Sequence, residues 1–199
     1  RDEQMALLVQ RVSGSPYGNY YFPQLAGVGF SFNPYAWNEE IDPEAGMIRL
    51  VFGLGTRAVD RADDDYTRVV ALNAPEKRPE ADFAAVKRYA QRRADVLDLE
   101  FNDFRNIHFT DLAPKTSDMP LNLFATRDRE LERTARDQGM KNVFPWVLTF
   151  DSLFKNTSLV KDMREMFCTV RDAYESEVDI EFTANFLEDG SYRINLVQC

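Results

Sequence analysis

The period of apolar and polar positions changes along this chain. Short apolar runs come first: MALLVQRV (5–12), LAGVGFSF (25–32), GMIRLVF (46–52) and TRVVAL (67–72). Runs of this length with β-branched residues predict buried strands. SGSPYGNYYFP (13–23) reads as loop, marked by Ser, Gly and Pro, and Asn33-Pro34 closes the second strand. The period then lengthens. In DFAAVKRYAQRRADVL (82–97), Phe83, Val86, Tyr89 and Ala90 stand at helical spacing. RDRELERTARDQG (127–139) is a charged helix with a Gly stop. The helix at 156–176 is the most strongly patterned, with a stripe of Leu159, Met163, Met166, Phe167 and Val170 and with Thr157 or Ser158 placed to cap it. NIHFTDL around His108 and LNLF (121–124) read as short strands. Pro145 limits VFPWVLTF (143–150) to an edge strand or a loop. The last stretch, VDIEFTANFLEDGSYRINLVQC (178–199), reads as a β-hairpin. Strands, then helices, then strands predict an α+β fold, mainly antiparallel sheet with packed helices.

Composition narrows the chemistry. The 199 residues suffice for one large domain around a real core. With 33 acidic and 24 basic residues, the net charge is −9, which argues against a nucleic-acid partner because phosphate backbones need a positive face. A nucleotide held by a local site is not excluded. Two cysteines, Cys168 and Cys199, make no disulfide framework or metal spacing, and a reducing, cytoplasmic setting is the expectation. No run reaches the roughly 18 apolar residues of a membrane span, and no signal peptide is visible. A chain that opens on Arg1 and stops in mid-strand is expected to be a piece of a longer protein.

The hairpin carries the sharpest candidate chemistry. Asp189-Gly190 is a favoured two-residue turn. A regular ladder built on it sets Glu181 directly opposite Gln198, with Cβ atoms about 5 Å apart. A carboxylate beside an amide oxygen is a hard-oxygen pair suited to Mg²⁺, which takes few protein ligands. The plainer reading is a polar, solvent-facing strand surface. Asp179, Glu181, Thr183 and Asn185 alternate cleanly with Ile180, Phe182, Ala184 and Phe186. Ile194 and Leu196 fall opposite polar residues, so both faces are partly covered or a bulge shifts the register.

Other motifs are weaker. GLGTRA (53–58) fits a dinucleotide fingerprint, but the acidic residue expected about 20 positions on is missing. It reads as a close-packed turn, or as a turn into a short helix facing phosphate. DRADDDY (60–66) lacks calcium-loop order and reads as a solvated loop. RYAQRR (88–93) reads as an exposed helix face, His108 as a hydrogen-bonded or packed histidine, and Cys168 as core. Phe144, Trp146 and Phe150 are expected to pack. No catalytic residue is identifiable.

VDIEF and INLVQ together resemble the C-terminal hairpin of the ATP-grasp nucleotide-binding domain of phosphoenolpyruvate synthase and pyruvate phosphate dikinase. The resemblance continues upstream. LLVQRV (7–12) resembles the family's V-Q-x-M-V hinge strand, AGVGFSFNP (26–34) its S-G-V-x-F-T-x-N-P strand, and MIRLVFGLGTRAVD (47–60) with DDDY (63–66) its I-E-A-S-Y-G-L-G-E-A-V-V and P-D-E-Y. It covers residues 5–72 and 178–198; the middle matches no motif and is expected to be a helical insertion at about 74–176 in a single lobe spanning 1–199. The resemblance implies that Glu181 and Gln198 hold Mg²⁺ on ATP phosphates, that Gln10, Arg11 and Val12 meet adenine, and that Gly53 and Gly55 belong to the nucleotide site. It implies an ATP-binding part of a phosphotransferase that phosphorylates a histidine in another domain. The other ATP-grasp lobe and the phosphohistidine domain would lie elsewhere in the parent chain, and the isolated piece would transfer no phosphate and is open to dimerisation. Arg49 and Thr56 stand where the family has Glu, and its Arg two positions past Gln198 falls outside the chain. These departures motivate the alternative of a degenerate module with a regulatory or scaffolding role.

Overall fold

A computed structural model describes residues 5–59, 65–116, 118–187 and 189–199. The first elements are a hairpin of β1 (Ser15–Tyr17) and β2 (Tyr20–Phe22), then β3 (Leu25–Phe30), β4 (Met47–Val51), α1 (Thr56–Val59) and β5 (Arg68–Ala71). The centre carries α2 (Phe83–Arg88), β6 (Arg93–Asp98), β7 (Asp103–His108), α3 (Phe109–Leu112), α4 (Leu121–Phe124), β8 (Ala125–Arg127), α5 (Arg129–Asp137), β9 (Trp146–Leu148) and α6 (Asp151–Asn156). The long helix α7 (Leu159–Tyr174) leads to β10 (Asp179–Phe186) and β11 (Tyr192–Gln198). Every pairing among the described strands is antiparallel, in sheets ordered β1-β2-β6-β7, β11-β10-β3-β4-β5 and β8-β9. The fold is α+β.

The five-stranded sheet has two unlike faces. On one, Leu25, Ile48, Leu50, Val70, Ile180, Phe182 and Ala184 are buried. The helix α7 packs there through Leu159, Met163 and Phe167. Two glycines of β3 permit the close approach. A Cβ at Gly27 would stand 2.3 Å from the Arg49 carbonyl oxygen, and one at Gly29 would stand 2.6 Å from the Phe167 ring. An edge-on aromatic contact joins this sheet to the four-stranded one, Phe22 to Phe52 at 5.5 Å, and Phe52 also meets Phe124 of α4 at 5.9 Å. Phe124 then meets Phe186 at 5.5 Å. The other face, carrying Val28, Arg49, Glu181, Thr183 and Asn185, is only partly covered.

Several expectations need correction. Residues 5–12 form no strand, and Leu7, Leu8 and Val9 are exposed; the run has apolar side chains but no ladder partner among the described residues. The expected loop at 13–23 contains the β1–β2 hairpin, turned at Gly18-Asn19 with Gly18 at φ 57°. The expected helix 82–97 splits into α2 and β6. After α2 the buried Gln91 side chain pairs with both backbone groups of Phe52, at 2.7 Å to N and 2.8 Å to O. The backbone N–H groups of Arg92 and Arg93 donate to Asp65 at 2.7 and 2.9 Å. The Asp65 carboxylate, distant in sequence, thus takes the place of the helical acceptors for Arg92 and Arg93. The span 74–176 is accordingly mixed rather than helical: β6 and β7 join the hairpin's sheet, and β8 pairs with β9. LNLF is one helical turn, begun at Pro120. Cys168 is exposed on the outer side of α7 rather than in the core. The bulk of DRADDDY, residues 60–64, lies outside the described residues.

Other expectations match. Asp128 caps α5 by accepting from the Leu131 N–H at 3.0 Å. His108 begins α3, with Nδ1 2.7 Å from Thr110 Oγ1. Trp146 packs under Arg127, whose guanidinium lies 4.9 Å from the ring.

Candidate functional site

A cleft of about 970 Å³ opens where the uncovered face of the β10–β11 hairpin meets residues 10–15 and the turn before α1. Gln10, Arg11, Val12, Gly55 and Glu181 all line it, so five of the seven residues singled out from sequence share one cavity. Gly53 and Gln198 do not line it. Arg11 and Arg193 line the cleft and make no ion pair among the described residues; Glu181 is the acidic residue on its wall. A protein of net charge −9 thus holds two uncommitted cations beside one carboxylate, an arrangement suited to an anionic ligand of local reach.

The hairpin sets Glu181 and Gln198 as Cα partners, though by a different route from a regular two-residue turn. Leu187 pairs with Ser191 across a loop one residue longer, with the Leu187 N–H donating to the Ser191 carbonyl at 2.8 Å and Gly190 at φ 83°. This slips the ladder by one: Phe182 faces Leu196 and Thr183 faces Asn195. A bulge between Glu181 and Phe182 absorbs Val197 and restores Glu181 opposite Gln198. Glu181 is half-buried and Gln198 exposed, and neither side chain has a protein partner among the described residues. No group of three or more His, Cys, Asp or Glu among the described residues is arranged to hold a metal ion. A carboxylate with one amide oxygen is a sparser donor set than that.

The glycine turn divides its roles. Gly53 is a packing glycine: at φ 96°, with any Cβ placed 2.7 Å from the Asp95 carbonyl oxygen, it lets Leu54 N–H donate to that oxygen at 2.8 Å. Gly55 faces the cleft, where a Cβ would meet only Ala26 at 3.5 Å. The next two residues are tied down by buried Asp95: Thr56 Oγ1 donates at 2.6 Å and Arg57 Nε at 3.2 Å. Arg57 also bridges to Asp65 at 2.9 Å. Arg49 stands in one cross-strand row with Val28 and Glu181, two strands from Glu181 and so about 10 Å away on the same face. Its guanidinium lies 5.4 Å from the Phe30 ring.

The family model for the pyruvate phosphate dikinase AMP/ATP-binding domain matches residues 1–199. The chain belongs to that family. No curated protein and no solved structure matches it at a significant level. Membership in the pyruvate phosphate dikinase family makes this a nucleotide-binding domain. No described helix is long and apolar enough to cross a membrane. Within this dikinase-type domain the cleft has a second wall that the motifs did not mark: Ser13, Asn185, Arg193 and Asn195. The signal for part of it was present, since Thr183 and Asn185 share the face of Glu181 by strand alternation. Ser13, by contrast, stood in a segment that reads as featureless loop.

Proposed function

We propose that this chain supplies the ATP-binding lobe, the C-terminal portion of an ATP-grasp unit, in a phosphotransferase of the pyruvate phosphate dikinase and phosphoenolpyruvate synthase kind. Its task is to position Mg-ATP for phosphoryl transfer to a histidine in another domain. The observation that carries the reading is the convergence of Gln10, Arg11, Val12, Gly55 and Glu181 from three separate stretches of sequence on one cleft that also holds Arg193, which like Arg11 makes no ion pair among the described residues. Residues 10–12 would lie along the base, Arg193 would meet phosphate oxygens, and Gly55 would leave room for backbone approach.

Glu181 and Gln198 fit a magnesium ion in donor chemistry. Both offer hard oxygens, they are cross-strand partners, and no internal hydrogen bond competes for either side chain among the described residues. A bound magnesium would neutralise charge on the phosphates. Glu181 and Gln198 would hold its position, on strands rather than on a loop, which limits their drift. The setting we propose is cytoplasmic, within one lobe spanning 1–199. The exposed Leu7, Leu8 and Val9 would favour self-association of the isolated chain.

A second reading has its own observation. Arg49 puts a cation on the same sheet face as Glu181, and the Thr56 hydroxyl is committed to Asp95. Both positions thereby lack the carboxylate that the dikinase resemblance expects, which supports a degenerate module with a regulatory or scaffolding role. Calorimetric titration of the full-length protein with Mg-ATP separates the two. The catalytic reading expects binding, weakened at least about tenfold by Glu181→Ala. A wild-type protein that takes up no Mg-ATP, or a Glu181→Ala variant that binds it equally well, ends that reading.

A further inference from the structure

Residues 10–13 belong to no strand, yet hydrogen bonds from three other strands converge on them. Gln10 Nε2 donates to the Val197 carbonyl at 3.0 Å, and the Tyr21 hydroxyl on β2 donates to the Val12 carbonyl at 3.1 Å. Ser13 Oγ accepts from Asn185 Nδ2 at 3.1 Å and from Asn195 Nδ2 at 2.9 Å. Asn185 sits on β10 and Asn195 on β11, so one hydroxyl oxygen spans both strands of the hairpin.

The Gln10 contact depends on the bulge. Val197 is the extra residue there, and an extra residue leaves the ladder, so its carbonyl can accept from a side chain. The same slip that returns Gln198 to Glu181 therefore also receives Gln10. With the ladder absent, side-chain bonds rather than backbone pairing set the height of residues 10–12 above the hairpin. Asn195 retains a longer contact to Thr183 Oγ1 at 3.4 Å, but Asn185 Oδ1 is buried with no partner among the described residues. Loss of the Ser13 hydroxyl would leave the Asn185 amide without any partner of its own.

We propose that Ser13 is a positioning residue: by bridging β10 and β11 it holds residues 10–12 at the wall of the cleft and so sets nucleotide affinity. The claim rests on the nucleotide-binding reading above. Tryptic cleavage after Arg11 and Mg-ATP calorimetry on the full-length protein, with Ser13→Ala and Ser13→Thr variants, test it. Ser13→Ala is expected to speed cleavage after Arg11 about tenfold and to weaken Mg-ATP binding about tenfold, with the melting temperature and the amide protection of β3 unchanged. Ser13→Thr, which keeps the oxygen, is expected to restore both. Unchanged cleavage after Arg11 overturns the proposal, as does faster cleavage with unaltered affinity. Faster cleavage in a protein whose wild type binds no nucleotide sinks the functional reading, and the affinity claim falls with it. Unchanged cleavage in a wild type that does bind Mg-ATP sinks only the role of Ser13.

Discussion

Residues 5–12 and the strand β3 are apolar runs of similar make-up that end in opposite states. In β3, Leu25 and Ala26 are wholly buried, whereas Leu7 is 84% and Val9 92% exposed in the first run. Apolar content does not separate them. The strand β3 lies between β10 and β4, so its backbone groups are paired on both sides, and its two glycines admit the neighbouring carbonyl and the Phe167 ring. Residues 5–12 have no such neighbour among the described residues and are held by single side-chain bonds. Burying a Leu or Val side chain is worth about 1.5–3 kcal/mol. That gain is realised only where a partner strand lets the backbone leave water with its hydrogen bonds made. The contrast is also what the nucleotide contact proposed for residues 10–12 would need, since a stretch paired on both edges has no backbone left for a ligand.

Substitutions in the two regions should therefore differ by an order of magnitude. Leu25→Ala, at a wholly buried side chain of β3, is expected to cost about 4 kcal/mol in urea denaturation, whereas Leu8→Ala should change stability by no more than about 0.5 kcal/mol. Similar costs at both sites would break the comparison. Next in size, Gly27→Ala drives a methyl to 2.3 Å from the Arg49 carbonyl oxygen and should cost about 3 kcal/mol by pushing β3 from β4. A melting temperature unmoved by that change would mean that β3 is not tightly flanked.

The smallest effect sharpens the comparison at an edge. The strand β11 has a partner on one side only, like a run half-way between the two, yet it is fastened to α7: Tyr192 donates to Asp162 and lies 2.8 Å from Ser158 Oγ. Burial, and then the bond to Asp162, push the Tyr192 hydroxyl up to about 12. An unfolded tyrosine ionises near 10. The fold therefore favours the protonated form, and this contribution is complete below about pH 10 and lost as pH rises toward about 12. Denaturation midpoints between about pH 9 and 11.5 should fall more steeply for the wild type than for Tyr192→Phe. Parallel declines would show that Tyr192 does not fasten the edge.

The site was partly legible in the chain. Glu181 opposite Gln198 followed from a turn signal and a count, although the real loop is one residue longer and a bulge makes up the difference. Two slips of one residue cancelled; the misfit of Ile194 and Leu196 with polar partners pointed to a bulge without placing it, and the true register sets them opposite Ala184 and Phe182. Gly53 and Gly55 look alike in sequence, and only the position of Asp95 makes one a packing glycine and leaves the other facing the cleft. Ser13 and Asn195 are 182 positions apart, beyond the reach of any periodicity.

By itself the sequence determined the α+β class, β3, β4 and β5, the helices α5 and α7, and the closing hairpin. Those features rest on periodicity, caps and turns, which act over a few residues. Tertiary structure alone decided that residues 5–12 stay outside the sheets, that residues 82–97 divide at Gln91 into helix and strand, and that the hairpin's bulge falls at Val197. It also decided which polar side chains meet around the cleft. Each of these outcomes depends on a hydrogen-bond partner supplied from far along the chain, and such a partner exists only once the sheets have assembled.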